Sequence, residues 1–143
     1  MTNFVLEQNV TSLEDSKRLA EAGIDLEADV MWQVGGDCAV LYLANYEPRN
    51  LEDFPEGTYF IKAYRLDRLL AELPEWWEKL IVYFNEYNDK KLKQLLEGVV
   101  PSNKVRKVYM LMVFIISQRS QEAIKAACDL LILLKKEGIN EGN

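Results

Sequence analysis

The stretch "TSLEDSKRLAEAGIDLEADVMWQVGGDCAVLYLAN", residues 11–45, changes its hydrophobic period halfway along and so predicts the class of the fold. In its first half, Leu13, Ser16 and Leu19 recur at three-residue steps, which places them on one face of a helix. In residues 30–34, valine and tryptophan alternate with methionine and glutamine, which is the period of a strand. A helix that is followed directly by a strand indicates a mixed helix-and-sheet protein.

The ends of the first helix carry their own signals. Either Thr11 with Glu14 or Ser12 with Asp15 has the spacing of a capping box, in which side chains satisfy the free backbone donors of a helix start. The pair Gly23-Ile24 is typical of a helix end, since glycine accepts the left-handed conformation there and the next apolar residue packs back on the last turn. Many helix-turn-helix DNA-binding proteins begin with such a helix, but the acidic, alternating "IDLEADVMWQV" that follows leaves no recognition helix.

Further elements flank this stretch. The turn residues Gly35-Gly36-Asp37 predict a β-hairpin with residues 30–34 and 40–44 as its strands. Residues 45–58 have the composition of a loop, and residues 59–64 predict a short strand. Helices are predicted from two groups of apolar residues at helical spacing: Leu66, Leu69, Leu70 and Leu73, ending at Pro74, and Ala123, Ala127, Leu130, Leu131 and Leu134, ending at Gly138-Ile139.

The middle of the chain leaves alternatives open. Residues 75–100 are compatible with two strands around Asn88-Asp89 or with two short helices; strand is favoured for Leu80–Phe84 and only weakly for "KKLKQLLEG". Lys104–Ile116 is apolar over most of its length, so its periodicity does not separate a buried strand from a buried helix.

Together these patterns predict one α+β domain over residues 1–143. We expect a small antiparallel sheet with the N-terminal helix, a short central helix and the C-terminal helix packed on it. Residues 1–10 are expected to form a mobile arm or a short edge segment, and residues 140–143 a frayed tail.

Composition narrows the classes of function. The net charge of −6, from 23 acidic and 17 basic residues, disfavours general nucleic-acid binding, which depends on neutralising phosphates. The chain contains no histidine, the commonest general base and transition-metal ligand. Its two cysteines, Cys38 and Cys128, lack metal-ligand spacing. We therefore predict no catalytic residue, no metal and no cofactor, and favour a non-enzymatic protein.

Location follows from similar signals. The N-terminal residues lack a secretory signal, and the longest apolar run, Val108–Ile116, is too short to span a membrane. We expect a cytoplasmic protein of the bacterial host without a membrane partner.

Three groups of residues are candidates for function. Trp76 and Trp77 point in different directions in either a helix or a strand, so one of them could be exposed as a partner-binding anchor; burial of both is the alternative. A basic patch over Lys90–Lys107, with Lys104, Arg106 and Lys107 beside Tyr109, could bind single-stranded nucleic acid, although a solvated strand face explains it more simply. The acidic residues are best explained as a solvated surface: Glu47, Glu52, Asp53, Glu56, Glu72, Glu75 and Glu78.

Three stretches carry a resemblance to a family: residues 11–25, "AYRLDRLLAELPE" (63–75) and "SQEAIKAACDLLILLKKEGI" (120–139). In this order they resemble small uncharacterised proteins of bacteriophages and of prophages in gut bacteria, which also carry an aromatic β segment, matched here by Trp32. Ser16 stands near a position where that family prefers alanine, and the middle of this chain is longer and more apolar. The resemblance implies an α+β fold and an association with phage, and it implies no catalytic residue.

From these observations we expect a phage-associated accessory protein that acts through contact with an unknown protein partner and that could self-associate. An acidic nucleic-acid-binding regulator is the alternative, followed by an enzyme that uses carboxylates without histidine.

Overall fold

In the described part of the chain, the helix Leu13–Glu21 is followed by a three-stranded antiparallel sheet and then by a series of helices. The computed structural model describes residues 9–35, 38–43, 57–81, 94 and 96–137. Its strands are β1 (Val30–Gly35), β2 (Cys38–Leu43) and β3 (Tyr59–Ala63). Its longer helical elements are α1 (Leu13–Glu21), α2 (Leu66–Ala71), α3 (Glu75–Ile81), α4 (Val105–Ile116) and α5 (Ser120–Lys136). The predicted α+β class is confirmed.

The sheet has the strand order β2-β1-β3, with β1 in the centre. Trp32 of β1 lies opposite Leu41 of β2 and Ile61 of β3, and Val30 is buried on the same face of β1. The predicted hairpin and the strand within residues 59–64 are therefore confirmed. The turn residues Gly36 and Asp37, the last predicted strand residue Ala44, and residues 45–56 of the predicted loop lie outside the described residues.

A buried polar network fastens the start of α1 to the sheet. The Thr11 hydroxyl accepts a hydrogen bond from the Tyr64 backbone N–H at 3.0 Å and shares another with the Ser16 hydroxyl at 2.6 Å. The Trp32 indole donates to the Thr11 carbonyl oxygen at 3.1 Å. Val10, just before this network, is buried and forms a β-bridge with Arg65. Residues 1–8 of the predicted arm or edge segment lie outside the described residues.

Helix α5 lies at the centre of the helical core. It packs against α4, α2 and α1, and α1 in turn packs against β3. Because Leu13 of α1 contacts the sheet cluster and Leu19 belongs to the helical cluster, α1 connects the two hydrophobic cores. The residues predicted to face inward on α5 are all buried: Ala123, Ala127, Leu130, Leu131 and Leu134. The predicted end of this helix at Gly138-Ile139 and the tail 140–143 lie outside the described residues.

The strand prediction for Leu80–Phe84 is wrong where the structure describes it. Leu80 and Ile81 belong to α3, and residues 94 and 96–98 of the weakly favoured second strand are also helical. Trp77 and Leu80 are three residues apart and are both buried in the helical core. In a helix they lie on the same side, whereas in a strand they would point to opposite faces. Packing between helices therefore overrides the β propensity of these aromatic and branched residues.

The open alternative for Lys104–Ile116 is decided in favour of a helix. Ser102–Lys104 forms a 3₁₀ turn, and α4 follows from Val105. Val108, Leu111 and Met112 are its buried residues, and their three- and four-residue spacing forms one stripe against the core. The half-buried Val105 and Ile115 lie on the same side of α4, whereas the exposed Met110 lies outside this stripe.

Candidate functional site: the groove between α4 and α5

A groove of about 480 Å³ runs between α4 and α5. It combines an apolar centre with basic side chains at the start of α4. Its lining residues are Asn103, Arg106, Lys107, Met110, Phe114, Ala126 and Asp129. Methionine, phenylalanine and arginine are residue types that are enriched in protein–protein interfaces.

Helical spacing explains why these side chains come together. Arg106, Met110 and Phe114 follow one another at four-residue steps, so they share one side of α4, away from the stripe of Val108 and Leu111. Met110 is 39% exposed and Ile116, at the end of the helix, is 55% exposed. The helix is thus apolar on its buried side and over part of its exposed side.

A tight helix ending brings α5 back against α4. The Arg119 backbone N–H donates to the Phe114 carbonyl oxygen at 2.9 Å, and the Gln118 N–H donates to that of Ile115 at 3.1 Å. Gln118 has a φ of 60°, in the left-handed region. This is a Schellman motif, and it closes α4 and reverses the chain within three residues.

The acidic residue of the groove already has a cationic partner. Arg18 of α1 donates to Asp129 at 2.7 Å through Nη2 and to Asp15 at 2.8 Å through Nη1. The bond to Asp129, followed by the bond to Asp15, raises the pKa of the Arg18 guanidinium above its ordinary value. Arg106 and Lys107, by contrast, are exposed and form no ion pair with any described residue. The unneutralised charge of the groove is therefore positive.

Lys104, one of the nucleic-acid-binding candidates, is buried and paired in the structure. Only 2% of its side chain is exposed, and its ammonium is paired with the Glu137 carboxylate and donates to Asn103 Oδ1 at 3.2 Å. A buried and paired ammonium offers no charge to a phosphate in this conformation. The predicted patch Lys90–Lys107 is thus reduced to Arg106 and Lys107 among the described residues; Lys90, Lys91 and Lys93 lie outside them.

The two tryptophans differ in burial. Trp77 is 2% exposed and belongs to the helical core, so it has no surface for a partner. Trp76 is half-buried and packs against the same core. Of the predicted pair, only Trp76 retains exposed surface, and it does not line the groove.

A second cleft, of about 340 Å³, lies near the start of α2. Its arginines are already paired: Arg65 with Asp29 at 2.9 Å and Arg68 with Glu72 at 2.9 Å. Within the described ranges, no three cysteine or acidic side chains are grouped so that they could hold a metal ion. The acidic residues Glu47–Glu56 of the sequence analysis lie outside those ranges.

Comparisons with known proteins identify no relative of this chain. No family model matches the chain, no curated protein matches its sequence, and no solved structure matches its fold. None of the helices in the described part of the chain has both the length and the hydrophobicity needed to cross a bilayer.

Sequence reasoning missed Met110 and Phe114 as site residues. Their signal is present in the sequence, since Arg106, Met110 and Phe114 share one side of a helix. These three residues would share a face in a strand as well, but only a helix also brings Lys107 to the side of Met110, because in a strand the two would point to opposite faces.

Proposed function

We propose that this chain is a non-enzymatic accessory protein that acts by binding another protein through the α4–α5 groove. The observation that carries this proposal is the apolar surface of α4 in the groove, where Met110 is exposed and Phe114 is half-buried. Exposed apolar surface with adjacent arginine is typical of interaction sites. An accessory role in phage or prophage, in the host cytoplasm, is part of the proposal and is supported by the resemblance of three sequence stretches.

Site-specific photo-crosslinking tests this proposal. A benzophenone amino acid is placed at Met110, and in a control protein at Glu78, which is exposed on α3. Both proteins are produced in the cells that naturally carry the gene and are irradiated there. We expect Met110 to yield an adduct with a defined protein, identified by mass spectrometry, which the Glu78 protein does not form. Equal adduct patterns from both positions would contradict the proposal.

Nucleic-acid binding is the competing function, because Arg106 and Lys107 remain exposed. Its test is the fluorescence anisotropy of a labelled single-stranded oligonucleotide over a range of salt concentrations. Salt-sensitive binding that disappears in the Arg106→Glu/Lys107→Glu variant would favour this function over the proposed one.

A further inference from the structure

We propose that the α4–α5 groove binds an acidic, amphipathic helical segment of a partner protein. This inference rests on the proposed function and specifies the chemistry of the partner. It is carried by the combination of an apolar centre and two cations without described partners in one groove.

The apolar part of the groove fits the apolar face of a helix. Met110 and Phe114 of α4 and Ala126 of α5 form a strip between two neighbouring helices. An amphipathic helix that lies in such a groove buries anchors spaced at three and four residues. The small side chain of Ala126 opposite the larger Met110 and Phe114 leaves room for such an anchor.

The charges of the groove select an acidic partner. Arg106 and Lys107 lie in the first turn of α4, one turn before Met110. The chain as a whole carries a net charge of −6, so this basic site stands out from an acidic protein. Electrostatic complementarity raises the rate of association and excludes partners of like charge.

A second copy of the chain fits this groove poorly. In a symmetric pair the same surface would meet itself, which places Arg106 and Lys107 near the like charges of the other copy. Asp129 is the acidic residue among the lining side chains, and it is already bonded to Arg18 at 2.7 Å. Among the lining residues that the structure describes, none therefore offers a free carboxylate with which a second groove could pair.

Nucleic acids and anionic lipid surfaces share the negative charge but fit the rest of the site less well. Both depend on many cations that contact phosphates, whereas the described lining residues of the groove supply two, Arg106 and Lys107. The net charge of −6 also opposes the approach of a polyanion. An acidic protein segment requires few cations for binding, and its apolar side chains can pack against Met110 and Phe114.

Selection from a random peptide library tests the inference. The library is displayed on yeast and selected with the full-length protein. We expect enriched peptides to combine aspartate or glutamate with large apolar residues at helical spacing. A synthetic copy of an enriched peptide is expected to bind Met110→Glu about tenfold more weakly than the parent protein. Circular dichroism shows whether this variant folds, and Met110→Ser replaces it if it does not.

Charge reversal tests directly whether Arg106 and Lys107 select acidic peptides. Arg106→Glu/Lys107→Glu is expected to lose the acidic peptides and to select lysine- and arginine-rich ones instead. Acidic residues are favourable in the first turn of a helix, so this variant should fold. The control Lys79→Glu/Lys125→Glu changes the net charge by the same amount at exposed residues that do not line the groove, and it should keep the acidic set.

Three outcomes would overturn the inference. Neutral or basic peptides that still depend on Met110 would refute the acidic partner and leave protein binding at the groove intact. Binding of an oligonucleotide or of phosphatidylglycerol vesicles through Arg106 and Lys107, without peptide enrichment, would refute both proposals. Absence of any enrichment that depends on the groove would refute the peptide partner, and the Met110 crosslink would then decide the proposed function separately.

Discussion

Among single residues, the neighbours Thr11 and Ser12 have different roles: Ser12 caps α1, and Thr11 fastens the start of α1 to the residue that follows β3. Ser12 caps α1, because its hydroxyl accepts the Asp15 backbone N–H at 3.1 Å. Thr11 could not serve as the cap as well, since its hydroxyl is buried between Tyr64 and Ser16. Both residues had a carboxylate at the capping distance in sequence, and only the approach of β3 assigned the roles.

Cys128 is the second informative residue. It is fully buried on α5, and burial, with the nearby charges of Asp15 and Asp129, raises the pKa of its thiol to about 12. Since the thiolate is the reactive form, a protonated and inaccessible thiol is inert at neutral pH.

We predict that Cys128 resists alkylation in the folded protein. In a Cys38→Ser variant, which leaves one cysteine, iodoacetamide at pH 8 should modify Cys128 at least about 100-fold more slowly in buffer than in urea. Mass spectrometry measures both rates. Similar rates in the two conditions would show that the thiol is accessible.

The same pKa predicts a dependence of stability on pH. Below the unfolded pKa of about 8.5, both states hold the proton and the contribution of the thiol is complete. As the pH rises from there toward 12, the unfolded chain loses its proton first, so that contribution is lost. The stability difference between the Cys38→Ser protein and its Cys128→Ala derivative should therefore shrink with rising pH in urea titrations.

At the scale of the elements, α1 and α4 end in the same motif with different residues. The Ile24 N–H donates to the Leu19 carbonyl oxygen at 2.9 Å around Gly23, whose φ is 81°. Gln118 occupies the corresponding position after α4, with a φ of 60°. Glycine adopts this conformation without strain, whereas glutamine does so at a cost.

The two helix ends therefore predict opposite responses to substitution. Gly23→Ala should lower the free energy of unfolding by about 1 kcal/mol. Space is not the cause, since an added Cβ would lie 3.7 Å from Lys135 Cε, an ordinary contact. Gln118→Gly should raise the free energy of unfolding by about 0.5 kcal/mol, because relief of strain exceeds the added freedom of the unfolded chain.

Urea denaturation of the two variants beside the parent protein measures both effects. Equal signs for the two substitutions would contradict the assignment of one motif to both helix ends. A Gln118→Gly variant that is less stable than the parent would show that the glutamine side chain contributes more than the strain it imposes.

At the scale of the whole molecule, Lys104 and Glu137 join the turn before α4 to the end of α5. The lysine side chain is buried, and the glutamate is one-third exposed. Desolvation opposes the gain from such a pair, so the pair as a unit adds little, whereas a lone buried charge is costly.

We predict an asymmetry between the two partners. Glu137→Gln should destabilise the protein by about 2 kcal/mol, because it leaves the buried ammonium without its counter-charge. Lys104→Met removes the charge and keeps the apolar length, so it should change stability by less than about 1 kcal/mol. Thermal and urea unfolding of both variants measure this order. A larger loss for Lys104→Met than for Glu137→Gln would contradict it.

Local sequence patterns are sufficient to predict the elements whose two sides differ in burial. Helices α1, α2 and α5 each place one side in the core and one in solvent, and β1 alternates the buried Val30 and Trp32 with half-buried residues; these contrasts appear as a period in the sequence. The N-terminal cap of α1 and its end at Gly23 were also predictable, because both depend on residues that are adjacent in the sequence. The α+β class followed from the order of these elements.

Whether the middle of the chain is helical, and which residues form the candidate site, depends on packing between elements that are distant in the sequence. Residues 105–116 are apolar on nearly all sides, so no period distinguishes helix from strand until α5 covers one side. The burial of Trp77 and Lys104 depends on which elements pack over them, and local sequence does not encode that. Met110 and Phe114 became a site with Arg106 and Lys107 only when α4 folded as a helix beside α5, since burial and charge pairing are properties of neighbours distant in the chain.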